Sequence, residues 1–349
     1  MSAPVPAVSI VIPCRNEAGH IEACVRSLLA QDFPPADLEV IVADGASEDG
    51  TRDVLARLVR EDARVRMVEN QGRIVSTGLN AAIGAARGRI VIRADAHTEY
   101  APDYVSQCVA VLRETGADNV GGPWVARGKG LTGQAIAAAF QSRFAVGGAR
   151  GHDRNYEGKL DTVYLGCWPR EVFERIGLFD EELVRNQDDE FNLRLARAGG
   201  TIWQSPRIKS WYSPRRSLGD LFRQQMQYGY WKVRVIQKHR LPASVRHPVP
   251  GLFVVSVVVL PVLSLWWSLA GWTWLGLVGT YSILDIAAAT MAAARHGWKL
   301  FPLLPFVFAC YHFGYGCGLL RGLWDFVIVR RGPGLSQTRL TRRLDASRS

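Results

Sequence analysis

None of the six cysteines of this 349-residue chain forms a Cys-x-x-Cys pair, and none has the spacing of a metal finger. Several lie in apolar settings, so they read as reduced core thiols, which suits a cytoplasmic catalytic region. The N-terminus lacks a charged stretch followed by an apolar one, so no cleaved leader is expected. Val8–Ile12 is too short for a leader and reads as a strand. There is no internal repeat or low-complexity tract, which excludes repeat architectures. A Gly-rich N-terminal loop bearing Arg and Lys, usual in nucleotidyltransferases, is missing. Charge is absent from Pro248 to Leu284, and Leu300–Leu320 has no Asp, Glu, Lys or Arg. Runs of that length match the roughly 20 apolar residues needed to cross a bilayer.

What charge there is has a sign and a place. The formal net charge is +10, with concentrations in Arg215–Arg240 and Arg330–Arg348, on either side of the hydrophobic part. Such an excess suits an anionic substrate and an anionic membrane surface. It would also suit nucleic acid, but the hydrophobic C-terminal part argues for membrane and against nucleic acid. Four regions follow: a catalytic region over 1–213, a basic amphipathic interface helix region over 214–247, a membrane domain over 248–329, and a basic tail over 330–349 without order. The membrane domain divides into Gly251–Ala270, Trp272–Ala294 and Leu300–Val329. Basic Arg295–Lys299 implies that the first two form a hairpin returning to the cytoplasm. The third has basic residues at both ends, so it either spans or sits re-entrant around Pro302 and Pro305. Trp266, Trp267, Trp272 and Trp274 suit a membrane interface, and Asp285 should face protein or the polar end. The expected location is the inner (cytoplasmic) membrane, with the catalytic region facing the cytoplasm.

Up to about residue 100, β-rich runs alternate with helical patterns. Strands are expected at Val8–Ile12, Leu38–Ala43, Val65–Val68 and Arg89–Ala94, with helices at Ala18–Ala30, Ser47–Glu61 and Thr77–Ala86. This alternation predicts an α/β fold with a mostly parallel, doubly wound sheet. Further strands are expected at Asn119–Ala126, Asp161–Gly166 and Thr201–Gln204, and helices at Leu131–Gly148, Gln187–Ala198 and Ser217–Lys238. In such sheets ligands bind beyond the carboxyl ends of the strands. Three strand ends there carry polar residues: Pro13–Glu17, Asp44–Asp49 and Asp95–Glu99.

Asp95 and His97, one residue apart after a strand, can grip a divalent cation that bridges a diphosphate. Carboxylate and phosphate oxygens favour Mg2+ or Mn2+, and the imidazole tilts the choice towards Mn2+. Taken alone, such a pair is as often a helix cap or turn. Asp44 can accept hydrogen bonds from a uracil or ribose, or can simply be the turn residue of Asp44-Gly45. Pro13-Cys-Arg-Asn-Glu17 offers a turn, with Arg15 for phosphate or base and Glu17 for ribose; Asp95 and Ala96 complete the nucleotide-sugar set. Gln187-Asp-Asp-Glu190 supplies a general base, Asp188 or Asp189, since inverting transfer needs one carboxylate to take the acceptor proton. On the basic helix Arg223, Gln224, Tyr228, Trp231 and Lys232 could close over a diphosphate or cradle a lipid-linked acceptor. A helix that merely anchors explains them equally well.

Taken together, these segments resemble the family 2 inverting glycosyltransferases with the GT-A fold, over about Val8–Lys238. The family's Pro-x-x-Asn-Glu stands here as Pro13-Cys-Arg-Asn-Glu17. Its Asp-Gly-Ser-x-Asp-Gly-Thr pattern stands as Asp44-Gly-Ala-Ser-Glu-Asp-Gly-Thr51, with one extra residue. Its Asp-x-Asp metal motif stands as Asp95-Ala-His97, and its Glu-Asp pair as Gln187-Asp188. The resemblance implies Asp188 as base with Asp189 its neighbour. His97 replaces the second motif Asp, and Gln187 removes a charge beside the base. The basic helix before hydrophobic segments looks like the ExoA-like, succinoglycan-type branch. That branch implies transfer of one sugar from a UDP-sugar, UDP-glucose foremost, to a polyprenyl diphosphate-linked saccharide in exopolysaccharide assembly. A processive synthase would call for more spanning helices and a Gln-x-x-Arg-Trp finger, which Gln224–Trp231 echoes only loosely. Another membrane lipid is the remaining alternative acceptor.

Overall fold

The computed structural model of the chain describes residues 6–240 and 247–338. They divide into two compact units, residues 6–125 with 150–213 and residues 126–149 with 214–338. The first unit begins with β1 (Val8–Cys14), α1 (Ile21–Leu29), β2 (Leu38–Asp44), α2 (Thr51–Glu61) and β3 (Val65–Glu69). It continues through α3 (Val75–Ala85), β4 (Ile90–Arg93), β5 (Thr98–Tyr100), α4 (Tyr104–Thr115) and β6 (Asn119–Gly122). Two helices of the second unit follow in sequence, α5 (Gly130–Phe140) and α6 (Arg143–Val146). The first unit then resumes with β7 (Gly158–Lys159), β8 (Tyr164–Pro169), α7 (Glu171–Ile176), α8 (Gln187–Arg197), β9 (Ile202–Gln204) and β10 (Ser210–Tyr212).

β1 and β2 are apolar almost throughout and almost wholly buried, as strands covered on both faces must be. One face packs Ile10, Ile12, Val40, Val42 and Ile92 against Val25, Leu55 and Val105 of α1, α2 and α4. The other packs Val11, Ile41, Ala43 and Val91 against Leu79 of α3, Phe173 of α7 and Phe191 and Leu195 of α8. Register is tight: Cys14 lies opposite Asp44 and Val11 opposite Arg93, so the carboxyl ends of β1, β2 and β4 open together.

The eight-stranded sheet runs β3-β2-β1-β4-β8-β6-β9-β7. The sheet is mostly parallel, with two reversed strands that make it mixed. β3, β2, β1 and β4 are mutually parallel, but β8 enters antiparallel between β4 and β6, and β7 is antiparallel to β9. A strand's own pattern does not encode its direction, so periodicity could not reveal this. β8 also begins and ends three residues later than expected. Gly166, where the expected strand ends, lies inside the observed one at φ 114°, where a Cβ would strike the Trp168 ring. β5 and β10 form a separate antiparallel pair.

The second unit contains α5, α6, α9 (Leu218–His239), α10 (Val249–Leu263), α11 (Ser268–His296), α12 (Leu304–Gly322), a π-helical stretch over Leu323–Ile328, and α13 (Leu335–Thr338). The expected continuous helix over Leu131–Gly148 breaks at Gln141–Ser142, where the Ser142 hydroxyl caps α6. Gly314, Gly318 and Gly322 of α12 recur every four residues. Each lies where a Cβ would press on an α9 carbonyl, of Phe222, Met226 and Tyr230 respectively. Those partners also recur every four residues, so two matching stripes let the helix backbones touch, as small residues permit. The third hydrophobic segment is thus packed along α9.

Among the described residues, α11 is the one helix long and apolar enough to cross a membrane. α10 has 15 residues, about 22 Å at 1.5 Å per residue, short of a core about 30 Å thick. Leu265, Trp266, Trp267, Leu269 and Trp272, around the α10–α11 turn, are all exposed. Asp285 is buried, as expected. The start of the basic tail is ordered: Arg331 pairs with buried Asp325 at 2.8 Å, and the Trp231 indole N–H donates to the Gln337 carbonyl at 3.0 Å. The rest of that tail, 339–349, lies outside the described residues.

The glycine stripe predicts an asymmetric response. Gly318→Leu should lower the melting temperature of the detergent-solubilised chain, at a cost of about 1–3 kcal/mol for overpacking. Gly276→Ala, in open space on α11, should leave it unchanged or raise it slightly. Equal melting of both variants would contradict the close α9–α12 approach.

Candidate functional site

Three loops follow β1, β2 and β4, and the first two are sewn together by side chains. The amide of Asn16 donates to the Ser47 hydroxyl at 2.8 Å, that of Glu17 to the Thr51 hydroxyl at 2.9 Å, and that of Ala18 to Asp49 at 3.1 Å. In return the Glu48 amide donates to the Asn16 side chain at 2.9 Å. Asn16 and Ala46 hold left-handed backbone at φ 55° and 54°. Such strain persists only where surrounding contacts over-determine it, and here the loop-to-loop bonds do so.

Asp44, fully buried, takes the Ser47 amide and the Arg52 guanidinium on one carboxylate oxygen, each at 3.2 Å. Its other oxygen, Oδ1, has no hydrogen-bond partner. An unsatisfied buried acceptor costs about 1–3 kcal/mol, which a donor-bearing ligand would recover. Arg15 has its Nε enclosed without a partner and its aliphatic part against Gly45, where a Cβ would stand 3.2 Å from the Arg15 Cβ. Pro13 packs beside Gly78 of α3.

After β4, the Asp95 main chain is clasped by Tyr100, whose hydroxyl accepts from the Asp95 amide at 2.7 Å and donates to its carbonyl at 3.1 Å. Ala96 is buried. His97 Nδ1 lies 3.3 Å from Glu17 Oε1, tying the β4 loop to the β1 loop. Beyond it stands a wall of rings: Tyr212 edge-on to His97, and Trp124 stacked on Tyr164 at 5.0 Å and on His152 at 5.6 Å.

The electrostatics joins the same groups. Burial first, then the carboxylates of Glu17, Asp44 and Asp49, pushes the Cys14 thiol far above its ordinary value. Burial, then Asp95 and Glu17, does the same to Cys24. Burial opposes the charge of Arg93, yet Asp95 and Asp188 more than offset it and hold the guanidinium above its usual range. The charges of Glu17 and Asp44 thus act on Cys14, and those of Asp95 and Asp188 on Arg93.

Asp188 and Asp189 open α8 after Asn186, which is left-handed at φ 60°. The Asp189 amide donates to Asp188 Oδ1 at 3.0 Å, and both side chains are half-buried, while Gln187 is buried. In the second unit, Arg223 pairs with Asp220 at 3.0 Å, Gln224 donates to the Tyr228 hydroxyl at 3.1 Å, and Lys232 is buried. Trp231 is fully enclosed, with Phe326 beside it. There it braces the helix bundle.

Among the described residues no three His, Cys, Asp or Glu side chains gather as a metal-ligand cluster. The donors present fit a hard divalent cation that takes its remaining ligands from a diphosphate and water. Asp95 offers a half-buried carboxylate, and His97 an imidazole beside Glu17. Sequence reasoning missed Arg93 and Tyr100. The signal for Arg93 was an arginine closing the otherwise apolar run Ile90-Val-Ile.

Residues 9–177 match glycosyl transferase family 2. The chain is 32% identical over 328 residues to the succinoglycan biosynthesis protein ExoA of Rhizobium meliloti (strain 1021), covering 91% of this chain and 95% of that protein. It is 25% identical over 326 residues to the dolichyl N-acetyl-alpha-D-glucosaminyl phosphate 3-beta-D-2,3-diacetamido-2,3-dideoxy-beta-D-glucuronosyltransferase of Methanococcus voltae, covering 90% of this chain and 98% of that one. Among solved structures it resembles the mannosyltransferase PcManGT from Pyrobaculum calidifontis, in complex with GDP-Man and Mn2+. The TM-score is 0.59 at 21% identity, over 92% of this chain and 88% of that one, which shows a shared fold.

The loop stitching carries a pH signature. Burial works against the Asp49 charge, but the Thr51 hydroxyl and the amides of Ala18 and Thr51 outweigh it and hold the carboxyl below its ordinary 3.8. That contribution to stability is complete above 3.8 and is lost as pH falls through the lowered folded value. Asp49→Asn should therefore melt lower at neutral pH and lose less on acidification below about pH 4. Melting curves of both proteins from pH 7 to 3 check it; parallel curves would contradict it.

Proposed function

The chain belongs to glycosyltransferase family 2, and on that premise we propose that it transfers one sugar, with inversion, from a UDP-sugar to a polyprenyl diphosphate-linked saccharide. The observation that carries the nucleotide part is Asp44 Oδ1, a buried acceptor without a donor at the mouth of β1 and β2. A uracil N–H or ribose hydroxyl supplies the missing donor. Arg15 would meet phosphate or base, Glu17 would take ribose hydroxyls, and Pro13 and Ala96 would shape the turns around the nucleotide.

Asp95 and His97 would hold Mn2+ or Mg2+. When bound, the ion supplies Lewis-acid stabilisation of the departing diphosphate. Asp188, with Asp189 as its neighbour, accepts the proton of the acceptor hydroxyl as that oxygen attacks the anomeric carbon. The new C–O bond forms on the face opposite the breaking C–O bond, and UDP leaves with the electron pair. Asp189, through its amide, holds the Asp188 carboxylate in place.

The acceptor class rests on the ExoA and dolichyl-linked relatives and on the second unit's apolar surface. Trp266, Trp267 and Trp272, exposed beside α11, suit an interface belt, and we assign the chain to the inner membrane with the first unit on the cytoplasmic side. On α9, Arg223, Gln224, Tyr228 and Lys232 would serve the acceptor diphosphate.

Purified full-length protein, incubated with Mn2+, a panel of labelled nucleotide sugars and membrane lipid extract, should move label from a UDP-sugar into lipid. Label entering lipid only from GDP- or dTDP-sugars would overturn the donor assignment, and label in long polymer would overturn single transfer. Asp188→Asn should reduce transfer at least about a thousandfold with UDP affinity unchanged; full activity would move the base to Asp189. Asp95→Ala should weaken UDP binding in the presence of Mn2+, read by calorimetry, and unchanged affinity would remove Asp95 from the metal site.

A further inference from the structure

β4 reads Ile90-Val-Ile-Arg93, and its last residue is anomalous. Val91 lies on the sheet face that packs against Phe191 and Leu195 of α8. Arg93, two residues on, projects to the same face, since side chains alternate along a strand. Asp188 stands three residues before Phe191 on α8, on the same helical face one turn nearer the N-terminus. Those periods turn Arg93 and Asp188 towards the same layer, and the Asp188 charge acts on Arg93. Asp95, two residues beyond Arg93, receives its guanidinium twice: Nε to Oδ1 at 3.1 Å and Nη2 to Oδ2 at 3.4 Å. The Arg93 side chain is 8% exposed and that of Asp95 17%.

Stability alone does not explain this arginine. A buried ion pair is often no more stabilising than apolar residues of similar volume, and Val or Ile would continue the strand. A fixed cation between two carboxylates does something an apolar residue cannot. Gripped on both oxygens, the Asp95 carboxylate is held in one orientation. We propose that Arg93 is a positioning residue for sugar transfer, orienting the Asp95 carboxylate towards the cation and diphosphate. The planar guanidinium grips both oxygens of Asp95 and so fixes its plane, which a point charge such as ammonium does not.

The proposal rests on the assignment of Asp95 and Asp188 above, and its test is separable from that assignment. Full-length Arg93→Lys and Arg93→Gln are purified beside the wild type, and UDP affinity is measured by calorimetry with and without Mn2+, together with melting curves. Where turnover is detectable, kcat and KM for the donor are also read. Lysine should weaken Mn2+-dependent UDP affinity about tenfold and glutamine about a hundredfold, the range found when partners of metal ligands are removed. UDP affinity without Mn2+ should stay near the wild-type value, and kcat should fall more than KM rises. Affinities equal to wild type in folded variants overturn the proposal. So does failure of both variants to fold, which would make Arg93 a structural residue. Wild type that fails to bind UDP with Mn2+ would instead sink the functional reading on which this proposal stands.

Discussion

Negative charge concentrated at the ends of three adjacent strands is the constraint that organises the first unit. Glu17, Asp44, Asp49 and Asp95 crowd a small region, and carboxylates buried near one another repel and lose solvation. Each is compensated differently. Asp49 takes main-chain amides and a hydroxyl, Asp95 takes a guanidinium in two contacts, and Glu17 lies against an imidazole. Asp44 is compensated on one oxygen by Ser47 and Arg52 and left unsatisfied on the other. The loops take left-handed backbone at Asn16 and Ala46 where they present these donors. A ligand bearing a hydrogen-bond donor would satisfy the Asp44 oxygen that the protein alone leaves open.

Much of this was legible in the sequence because it depends on local pattern. β1 and β2 are apolar runs ended by polar turns, β3 is a shorter one, and the structure places all three within two residues of the reading. The placing of Pro13–Glu17, Asp44–Thr51 and Asp95–His97 at the ends of β1, β2 and β4 was legible because each follows an apolar run. What stayed hidden depends on tertiary context. The direction of β8 is set by where the chain returns after α6, and nothing in Tyr164–Pro169 encodes it. β5, β7 and β10 are two or three residues long, too short to carry a period. Arg93 could be found only by asking why a buried strand ends in a cation.

The second unit repeats the lesson with hydrophobicity in place of charge. Composition alone sees three comparable apolar segments. Glycines at 314, 318 and 322 press α12 against α9, whereas α11 leaves Trp272, Leu275 and Ile283 exposed. A hydropathy sum cannot distinguish a helix made apolar for lipid from one made small for close packing, but the four-residue spacing of the glycines can. Trp231 illustrates the same point: an aromatic on a basic helix reads as ligand contact, yet it is enclosed with its indole N–H on the Gln337 carbonyl.

Residues 126–149 belong with the second unit although they lie between β6 and β7 of the first. On the ribosome, α5 emerges well before α11 and α12, the helices it packs against. Its buried alanines and Phe140 therefore pass through synthesis of about half the polypeptide without their native neighbours, a period in which exposed apolar surface invites aggregation. The order of translation gives this protein a need for early capture, by lipid or chaperone, that the finished architecture conceals.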